Sequence, residues 1–250
     1  ITPSSVGGTV HAINSKSHIH RLLICAALST EPTSVFCPNS SYDIESTARC
    51  LCALGAIITR DGDYYNVVPI RKHMQNALLH CSESGSTLRF LLPVAAALGV
   101  DAKLYMSGRL PDRPIDPLIN QLTAHGCRIL RQTHNVIQCV GQLKYGEYTI
   151  PGDISSQFIS GLLFALPLLD GDSVLNVTGT MESVGYVQMT LETIAAAGIK
   201  IISQPGRFII PGGQHYSLPQ DVPVEGDWFN AAFWLAMGVL SDKSVTCTGL

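Results

Sequence analysis

The chain has 250 residues, of which 46% are apolar and 14% are charged, and its formal net charge is −3. This apolar share is enough for one or two domains with a large core. The acidic balance argues against nucleic acid as a partner, since proteins that bind nucleic acid normally carry a basic excess. The longest apolar stretches, residues 90–100 and 159–169, are shorter than the roughly 20 residues of a membrane span. We therefore expect a globular protein with no nucleic-acid or membrane partner.

Eight cysteines are scattered along the chain, and none forms a Cys-x-x-Cys pair. Most of them lie in apolar runs, as Cys25 and Cys139 do. We interpret them as buried free thiols in a reducing cytoplasm rather than as metal ligands or disulfides. The spacing of His18 and His20 does not indicate a metal site either.

Three segments of small polar residues run straight into apolar helices and predict a repeat. The segments begin at Ser15, Ser84 and Ser155, which are 69 and then 71 residues apart. Each predicted helix is followed by a short β-rich run. These strands are expected at residues 33–36, 102–106 and 173–177.

A second predicted helix in each unit ends at a glycine. The glycines are Gly55, Gly126 and Gly198, spaced 71 and 72 residues apart. Each fits a helix C-cap, where a left-handed conformation costs glycine least. Two strands are expected after each glycine, the first at residues 56–58, 127–129 and 199–201, and the second near Val67, Ile137 and Ile209. The unit therefore reads β-α-β-α-β-β, and three units predict a compact α/β lobe.

A fourth unit begins at Glu225-Gly226-Asp227. Its pattern predicts a helix over residues 230–240 and a strand over residues 244–248. A lone βαβ fragment cannot bury its own hydrophobic face. We therefore expect the natural protein to continue beyond Leu250.

Two cations stand at the start of the first predicted helix, Lys16 and Arg21. The first turn of a helix exposes unpaired N–H groups and carries roughly half a positive charge, so it attracts anions. Cations there oppose the macrodipole, and helix stability alone does not favour them. An anionic ligand would resolve this conflict. Two solvated surface cations are the alternative.

The later helix starts and one loop offer similar groups. The second start contains Gly85, which permits close approach of the backbone to a ligand, although an ordinary capped turn is the alternative. Arg113 lies in a proline-stiffened loop and can grip a carboxylate or phosphate, with an Arg–Asp surface pair as the alternative. Ser155, Ser156 and Gln157 offer two hydroxyls and an amide, whereas a cap explains only one serine.

Other signals are weaker when they are taken singly. Ser183 and Tyr186 are expected in a loop before a helix over residues 187–197, and Asp227 is interpreted as an N-cap. The sequence has no G-x-S-x-G motif, Walker-type loop or dinucleotide fingerprint. Three equivalent helix starts in a repeated lobe can converge on one anion-binding cleft.

In this order, the motifs resemble the enolpyruvyl transferase family, and in particular the branch that acts on shikimate 3-phosphate. The resemblance extends from Thr9 to Gly249. It rests on Ser15-Lys16-Ser17-x-x-x-Arg21, Gly85-Ser86-Thr87-Leu88-Arg89, Asp112-Arg113-Pro114-Ile115, Ser155-Ser156-Gln157-Phe158 and Glu225-Gly226-Asp227-Trp228. It implies a two-lobed fold with three β-α-β-α-β-β units in each lobe. Residues 14–224 would form one complete lobe, and residues 1–13 and 225–250 the start of a second lobe that is largely absent.

The resemblance implies transfer of the enolpyruvyl group from phosphoenolpyruvate to shikimate 3-phosphate, with release of phosphate. This reaction belongs to the shikimate pathway, which makes chorismate and the aromatic amino acids. The implied chemistry is addition followed by elimination, without a metal or organic cofactor. The resemblance also implies a cytoplasmic monomer. The acidic catalytic residues of the family lie in the absent half, so this chain alone is expected to be inactive.

The resemblance also assigns roles to individual residues. Contacts to shikimate 3-phosphate are expected from Lys16, Ser17, Arg21, Ser155, Ser156, Gln157, Ser183 and Tyr186. Contacts to phosphoenolpyruvate are expected from Lys16, Gly85, Arg113 and Gln157. Lys16 and Gln157 are the candidate catalytic residues, and Lys16 would act in proton transfer as well as in binding. Fixed cations and N–H donors suit two polyanionic substrates because such groups are preorganised.

The chain departs from the family pattern at several positions. It has Ile13-Asn14 where Pro-Gly is usual, Phe90 where a proline is common and Phe229 where a small polar residue is common. Glu83 stands where asparagine is common, and we expect its carboxylate to pair with a nearby arginine. These departures bear on the geometry at phosphoenolpyruvate more than on family membership.

Three other interpretations compete with this one. The sister transferase that acts on UDP-N-acetylglucosamine has Lys-Asn in place of Lys16-Ser17 and a reactive cysteine in the loop at residues 109–114, where this chain has none. A non-catalytic anion-binding lobe is the second alternative, and the partial fourth unit argues against it. An RNA-end-processing enzyme with a related repeat is disfavoured by the low positive charge.

Overall fold

Three four-stranded sheets lie outside a buried layer of helices. The computed structural model describes residues 6–72 and 74–250. The α-helices in these residues are α1 (Lys16–Leu28), α2 (Tyr42–Leu54), α3 (Gly85–Ala97), α4 (Asp116–Ala124), α5 (Ser156–Ala165), α6 (Val184–Ala196) and α7 (Trp228–Val239). The strands are β1 (Gly8–His11), β2 (Thr33–Phe36), β3 (Ile57–Asp61), β4 (Tyr64–Val68), β5 (Asn76–Ser82), β6 (Asp101–Met106), β7 (Arg128–Thr133), β8 (Val136–Val140), β9 (Glu147–Pro151), β10 (Ser173–Thr178), β11 (Ile202–Gln204), β12 (Arg207–Ile210), β13 (Asp221–Pro223) and β14 (Val245–Thr248).

The three larger sheets share one topology. Their strand orders are β13-β2-β4-β3, β5-β6-β8-β7 and β9-β10-β12-β11. In each sheet the first two strands are parallel, and the other two strands add antiparallel. In the second and third sheets a helix connects the parallel strands, because such a pair needs a crossover. The predicted β-α-β-α-β-β repeat and the α/β class are confirmed.

One sheet is assembled from two distant parts of the chain. Strand β13 pairs in parallel with β2, with Asp221 opposite Ser34. The segment that precedes α1 instead forms β1, which pairs in parallel with β14. The first unit therefore obtains its first strand from the residues that follow the third unit. The predicted helix and strand of the fourth unit are present as α7 and β14.

The predicted strand at residues 199–201 is wrong by three residues, since β11 begins at Ile202. The backbone N–H and carbonyl groups of Lys200 are hydrogen-bonded to the side chain of Gln214 instead of to a neighbouring strand. The Lys200 N–H donates to Oε1 of Gln214 at 2.7 Å, and Nε2 of Gln214 donates to the Lys200 carbonyl at 3.0 Å. These bonds hold the backbone there out of the ladder with β12.

The first helix of each unit forms the centre of the molecule. Helices α1, α3 and α5 are buried along most of their length. A helix that is apolar all round is one that protein surrounds. These helices share one core with inward-facing strand residues such as Leu79 and Leu104. The starts of α1, α3 and α5 are therefore fixed by the packed interior.

The glycines predicted to end the second helices do so. Gly55 is the C-cap of α2, and Gly126 and Gly198 lie one residue beyond the caps of α4 and α6. All three have positive φ, at 117°, 98° and 81°. Side chains other than hydrogen rarely tolerate this conformation, which explains the recurrence of glycine.

The expected burial of the cysteines is confirmed for six residues and wrong for Cys52. All eight cysteines are free, and six of them are buried, but Cys52 is exposed and Cys247 is partly exposed.

Among the described residues, no helix is long and apolar enough to cross a membrane.

Gly161 allows α5 to pack closely against α3. A Cβ at this position would overlap the backbone carbonyl oxygen of Arg89. We expect Gly161→Ala to lower the free energy of unfolding by about 1–3 kcal/mol, because overpacking outweighs the gain in helix propensity. Urea denaturation measures this change. Gly185→Ala is the control, since a Cβ on this α6 residue meets no atom within 4 Å. Equal losses in the two variants would contradict the close contact.

Candidate active site

The starts of α1, α3, α5 and α6 border one cleft with a volume of about 400 Å³. The structure brings together every residue that the sequence predicts for the site. The lining includes Lys16, Ser17, Arg21, Gly85, Arg113, Ser155, Ser156, Gln157, Ser183 and Tyr186. The roles of these residues remain predictions, whereas their convergence is observed.

Six further residues line the cleft that sequence analysis does not identify as site residues. They are Asp43, Glu83, Ser86, Phe90, Ile154 and Glu182. Asp43 lies in the first turn of α2, and Glu182 lies two residues before α6 begins. The repeat is a signal in the sequence that could identify Asp43 and Glu182, because α2 and α6 occupy equivalent positions in the first and third units.

Lys16 is an exposed cation of the cleft. Its Nζ lies 2.9 Å from Oδ2 of Asp43, and 51% of its side chain is exposed. Ser15 caps α1 by accepting a hydrogen bond from the His18 N–H at 3.2 Å. The exposed ion pair contributes little stability. Lys16 can therefore exchange Asp43 for an anionic ligand at small cost.

Arg21 is a buried cation, which excludes the surface-cation alternative for this residue. Its Nε donates to Oγ1 of Thr190 at 2.8 Å, and its Nη1 and Nη2 donate to the carbonyls of Ser17 and Tyr186 at 2.6 and 2.9 Å. It has no carboxylate partner in the described part of the chain. Burial lowers the pKa of Arg21 to about 10, so the group remains charged at neutral pH.

The starts of α3 and α5 meet through side-chain hydrogen bonds. Oε1 of Gln157 accepts from Nη1 of Arg89 at 2.7 Å, and its Nε2 donates to Oγ of Ser86 at 3.0 Å. Ser155 caps α5 by accepting from the Gln157 N–H at 3.3 Å. Its hydroxyl hydrogen is still able to donate to a ligand in the cleft.

Arg113 has no ion-pair partner in the described residues. The alternative of an Arg–Asp surface pair is wrong, since Asp112 lies 3.1 Å from Nε2 of His134 instead. The expected pairing of Glu83 with an arginine side chain is also wrong. Its Oε1 accepts from the backbone N–H of Arg109 at 3.2 Å. The carboxylate fits there because it occupies the space that a side chain on Gly108 would fill.

Ser183 and Tyr186 do not lie in a common loop, contrary to prediction. Helix α6 begins at Val184, so Tyr186 lies in its first turn. Ser183 precedes the helix in a left-handed conformation, with φ at 54°. The Tyr186 ring stacks on Phe229 of α7, with ring centroids 5.1 Å apart and planes 8° from parallel. The stack covers one face of the tyrosine ring.

A chain of buried polar groups connects the starts of three helices. Nδ1 of His20 in α1 hydrogen-bonds with Oγ1 of Thr47 in α2 at 2.8 Å. Thr47 hydrogen-bonds with Oγ1 of Thr87 in α3 at 2.6 Å, and Thr87 donates to Oγ of Ser84 at 2.7 Å. Buried polar groups that are paired in this way rigidify their surroundings. The network fixes the relative positions of α1, α2 and α3.

The cleft combines opposite charges with hydrogen-bond donors. Its cations are Lys16, Arg21 and Arg113, and its carboxylates are Asp43, Glu83 and Glu182. Helix N–H groups and serine hydroxyls add donors that suit phosphate or carboxylate oxygens. Within residues 6–72 and 74–250, no group of three or more His, Cys, Asp or Glu side chains is placed to hold a metal ion.

The fold and the cleft define a protein of repeated α/β units whose helix starts converge on a cleft that suits small anionic molecules. A family model described as EPSP synthase (3-phosphoshikimate 1-carboxyvinyltransferase) matches residues 2–250. The chain belongs to this family.

Curated relatives support the assignment. The 3-phosphoshikimate 1-carboxyvinyltransferase of Clostridium kluyveri is 38% identical over 253 residues, covering 100% of this chain and 59% of the relative. The protein of the same name from Clostridium botulinum strain Alaska E43 is 39% identical over 251 residues, covering 97% and 58%. The chain thus spans about three fifths of the length of these relatives.

Two solved structures share the fold. An EPSP synthase from Acinetobacter baumannii matches with a TM-score of 0.81 at 20% identity, covering 98% of this chain and 56% of that one. The enolpyruvyl transferase NikO from Streptomyces tendae matches with a TM-score of 0.73 at 17% identity, covering 98% and 58%. The predicted fold, one lobe of the two-lobed enolpyruvyl transferase architecture, is confirmed.

Gly85 has no side chain, and this leaves room for the guanidinium groups of Arg113 and Arg89. An added Cβ would lie 2.9 Å from Nη1 of Arg113, 3.0 Å from Nη1 of Arg89 and 3.2 Å from Oε1 of Gln157. We expect Gly85→Ala to displace these groups and weaken binding of inorganic phosphate about tenfold, since a charge-assisted hydrogen bond is disturbed. Calorimetric titration measures the affinity. Wild-type affinity in Gly85→Ala would refute the steric argument, and Gly185→Ala provides a control with open space.

His20 should make stability depend on pH. Burial lowers its pKa from 6.5 to about 3, with Asp43 opposing the change and Lys16 and Arg21 reinforcing it. Between these values the unfolded chain binds a proton that the folded protein rejects, so stability falls as the pH falls. When the pH falls from 6 to 5, we expect the free energy of unfolding to decrease by about 1 kcal/mol less in His20→Gln than in the wild type. Urea denaturation at each pH tests this, and parallel curves would contradict it.

Proposed function

We propose that the full-length protein transfers the enolpyruvyl group of phosphoenolpyruvate to shikimate 3-phosphate and releases inorganic phosphate. The reaction serves the synthesis of chorismate and the aromatic amino acids. The convergence of helix starts, hydroxyls and cations on one cleft carries this proposal. Membership of the EPSP synthase family supports it. Because the chain spans about three fifths of its curated relatives, the activity is proposed for the whole protein.

The acceptor side of the cleft would hold shikimate 3-phosphate between the starts of α1, α5 and α6. The proposed contacts are Lys16, Ser17, Arg21, Ser155, Ser156, Gln157, Ser183 and Tyr186. The hydroxyls of Ser155 and Ser156 stand at the start of α5, where phosphate gains both N–H donors and the helix dipole. Arg21 adds a positive charge that is fixed by three hydrogen bonds. A fixed charge needs no reorganisation when the substrate arrives.

The donor side would hold phosphoenolpyruvate near the start of α3. Arg113 is free of ion pairs in the described structure, so both of its terminal nitrogens can face a carboxylate or phosphate. Gly85 brings the α3 backbone close to the same space. Gln157 and Lys16 line the same cleft and would complete the proposed donor site.

The reaction requires a proton to be added and later removed. Protonation of the methylene carbon of phosphoenolpyruvate allows the acceptor hydroxyl to add to the neighbouring carbon, and the hydroxyl gives up its own proton as the new C–O bond forms. Loss of a proton from the resulting methyl group then accompanies departure of phosphate. Lys16 is the proposed participant in proton transfer, since its ammonium is exposed to the cleft and touches Asp43. Fixed cations stabilise the anionic tetrahedral intermediate between the two steps.

We also infer that residues 14–224 form a substrate-binding lobe and that residues 1–13 and 225–250 belong to a second lobe. The parallel pair of β1 and β14 supports this division. The exposed aromatic residues of α7, which include Trp228 and Phe233, also support it. A surface of this kind normally packs against further protein.

Phosphate release by the full-length protein tests the function. We expect turnover with phosphoenolpyruvate and shikimate 3-phosphate, and a loss of at least about 100-fold in kcat/KM in Lys16→Met, because a group that touches both substrates is removed. Lys200→Met is the control, since this exposed lysine lies outside the cleft.

Two outcomes would overturn parts of the proposal. Turnover with UDP-N-acetylglucosamine in place of shikimate 3-phosphate would identify the sister activity, and turnover with neither acceptor would refute the function. The isolated 250-residue chain is expected to bind shikimate 3-phosphate weakly without turning it over. Turnover by this chain would contradict the need for a second lobe.

A further inference from the structure

Arg89 is a buried cation that does not line the cleft. Only 3% of the residue is exposed, and it has no carboxylate partner in the described structure. Its Nε is buried without a hydrogen-bond partner among the described residues. Burial, followed by the nearby Arg113, lowers its pKa to about 10. A buried charge with an unsatisfied donor costs stability, so stability alone does not explain this residue.

The guanidinium of Arg89 bridges two elements of the site. Its Nη1 donates to Oε1 of Gln157 at 2.7 Å, and its Nη2 donates to the carbonyl oxygen of Pro114 at 2.8 Å. Gln157 lies in the first turn of α5, and Pro114 directly follows Arg113. The planar guanidinium of Arg89 therefore holds both the first turn of α5 and the backbone next to Arg113, a cleft cation without an ion-pair partner in the described residues.

Arg89 also determines which end of the Gln157 amide faces the cleft. A guanidinium can only donate hydrogen bonds, so the oxygen of the amide must face Arg89. The amide nitrogen then faces the opposite way and donates to Oγ of Ser86 at 3.0 Å. Since Ser86 Oγ accepts this bond, its own hydrogen is available to an acceptor in the cleft. Donation runs in one direction, from Arg89 through Gln157 and Ser86 into the cleft.

We propose that Arg89 is a positioning residue for the enolpyruvyl transfer: it fixes the amide of Gln157 so that the cleft presents donors to anionic oxygens, and it holds the backbone beside Arg113. The role is indirect, since Arg89 acts on the substrates only through these neighbours. The inference rests on the proposed function. Its test must separate positioning from a purely structural role, because Arg89 also lies over the ring of Phe158 at 5.4 Å.

A double-mutant cycle in the full-length protein tests the coupling. Arg89→Lys keeps the charge, but a single ammonium cannot reproduce the planar fork. We expect it to lower kcat/KM at least about tenfold, and to lower it less than about twofold when Gln157→Leu is already present. Losses that multiply independently would overturn the proposal. Arg109→Lys is the control, since this arginine lies in the loop that contains Arg113, is exposed and does not line the cleft.

The side-chain amide of Gln157 gives a readout that does not depend on turnover. Its NMR signals are assigned by their disappearance in Gln157→Leu. We expect Arg89→Lys to shift them and to accelerate their exchange with water, and unchanged signals would overturn the proposal. If the wild-type protein shows no turnover, the proposed function is refuted. The amide signals of Gln157 would still show whether Arg89 positions that side chain.

A second variant keeps the proposal testable if Arg89→Lys does not fold. Ser86→Ala removes the last donor of the chain and leaves Arg89 and Gln157 in place. We expect it to weaken binding of phosphoenolpyruvate about three- to tenfold without changing the thermal midpoint, since one hydrogen bond to an anion is lost. Wild-type affinity in Ser86→Ala would overturn the proposed direction of donation.

Discussion

The cleft depends on one electrostatic constraint, which is that several helices point their positive ends at the same small volume. Each start has unpaired N–H groups, and aligned ends of the same sign repel one another. The buried hydrogen bonds from His20 to Thr47 and from Thr47 to Thr87 hold two of these helices, α1 and α3, together through α2 against that repulsion. Arg21 connects α1 to α6 through Thr190, and Thr190 contacts Ser160 of α5. A bound anion would reduce the positive potential that remains in the cleft. The convergence of helix starts therefore explains both why these helices must be held together and why the cleft suits anions.

The cations of the site differ in how they are held, and this difference suits different tasks. Arg21 and Arg89 are buried, donate to fixed oxygen atoms and cannot move without breaking several hydrogen bonds. Lys16 is exposed and has a single carboxylate partner, Asp43. Since exposed ion pairs are weak and flexible, the ammonium of Lys16 can move to meet an anion in the cleft. The buried arginines instead keep a constant potential, which is the property that preorganised stabilisation requires.

The repeat and most of the site could be read from the sequence because both depend on local rules. Serine caps and C-terminal glycines recur at a constant spacing, and the candidate residues at the starts of α1, α3 and α5 follow from them. The assignment of Ser183 and Tyr186 depended on the family resemblance instead. The errors concern groups whose partners lie far away in the chain. The backbone of Lys200 is hydrogen-bonded to the side chain of Gln214, and the carboxylate of Glu83 occupies the space that a side chain on Gly108 would fill. The left-handed conformation of Ser183, which lets α6 begin before Tyr186, has no signal in residue type.

The origin of β13 has a consequence for the order in which the protein can fold during synthesis. The second and third sheets consist of contiguous stretches, residues 76–140 and 147–210, and each can close as soon as its own residues have left the ribosome. The first sheet must wait for residues 221–223, although its other three strands are made first. During this interval the edge of β2 is unpaired and open to association with other chains. Of the three larger sheets, the one whose strands emerge first is therefore completed last, and its protection depends on how soon the third unit is finished.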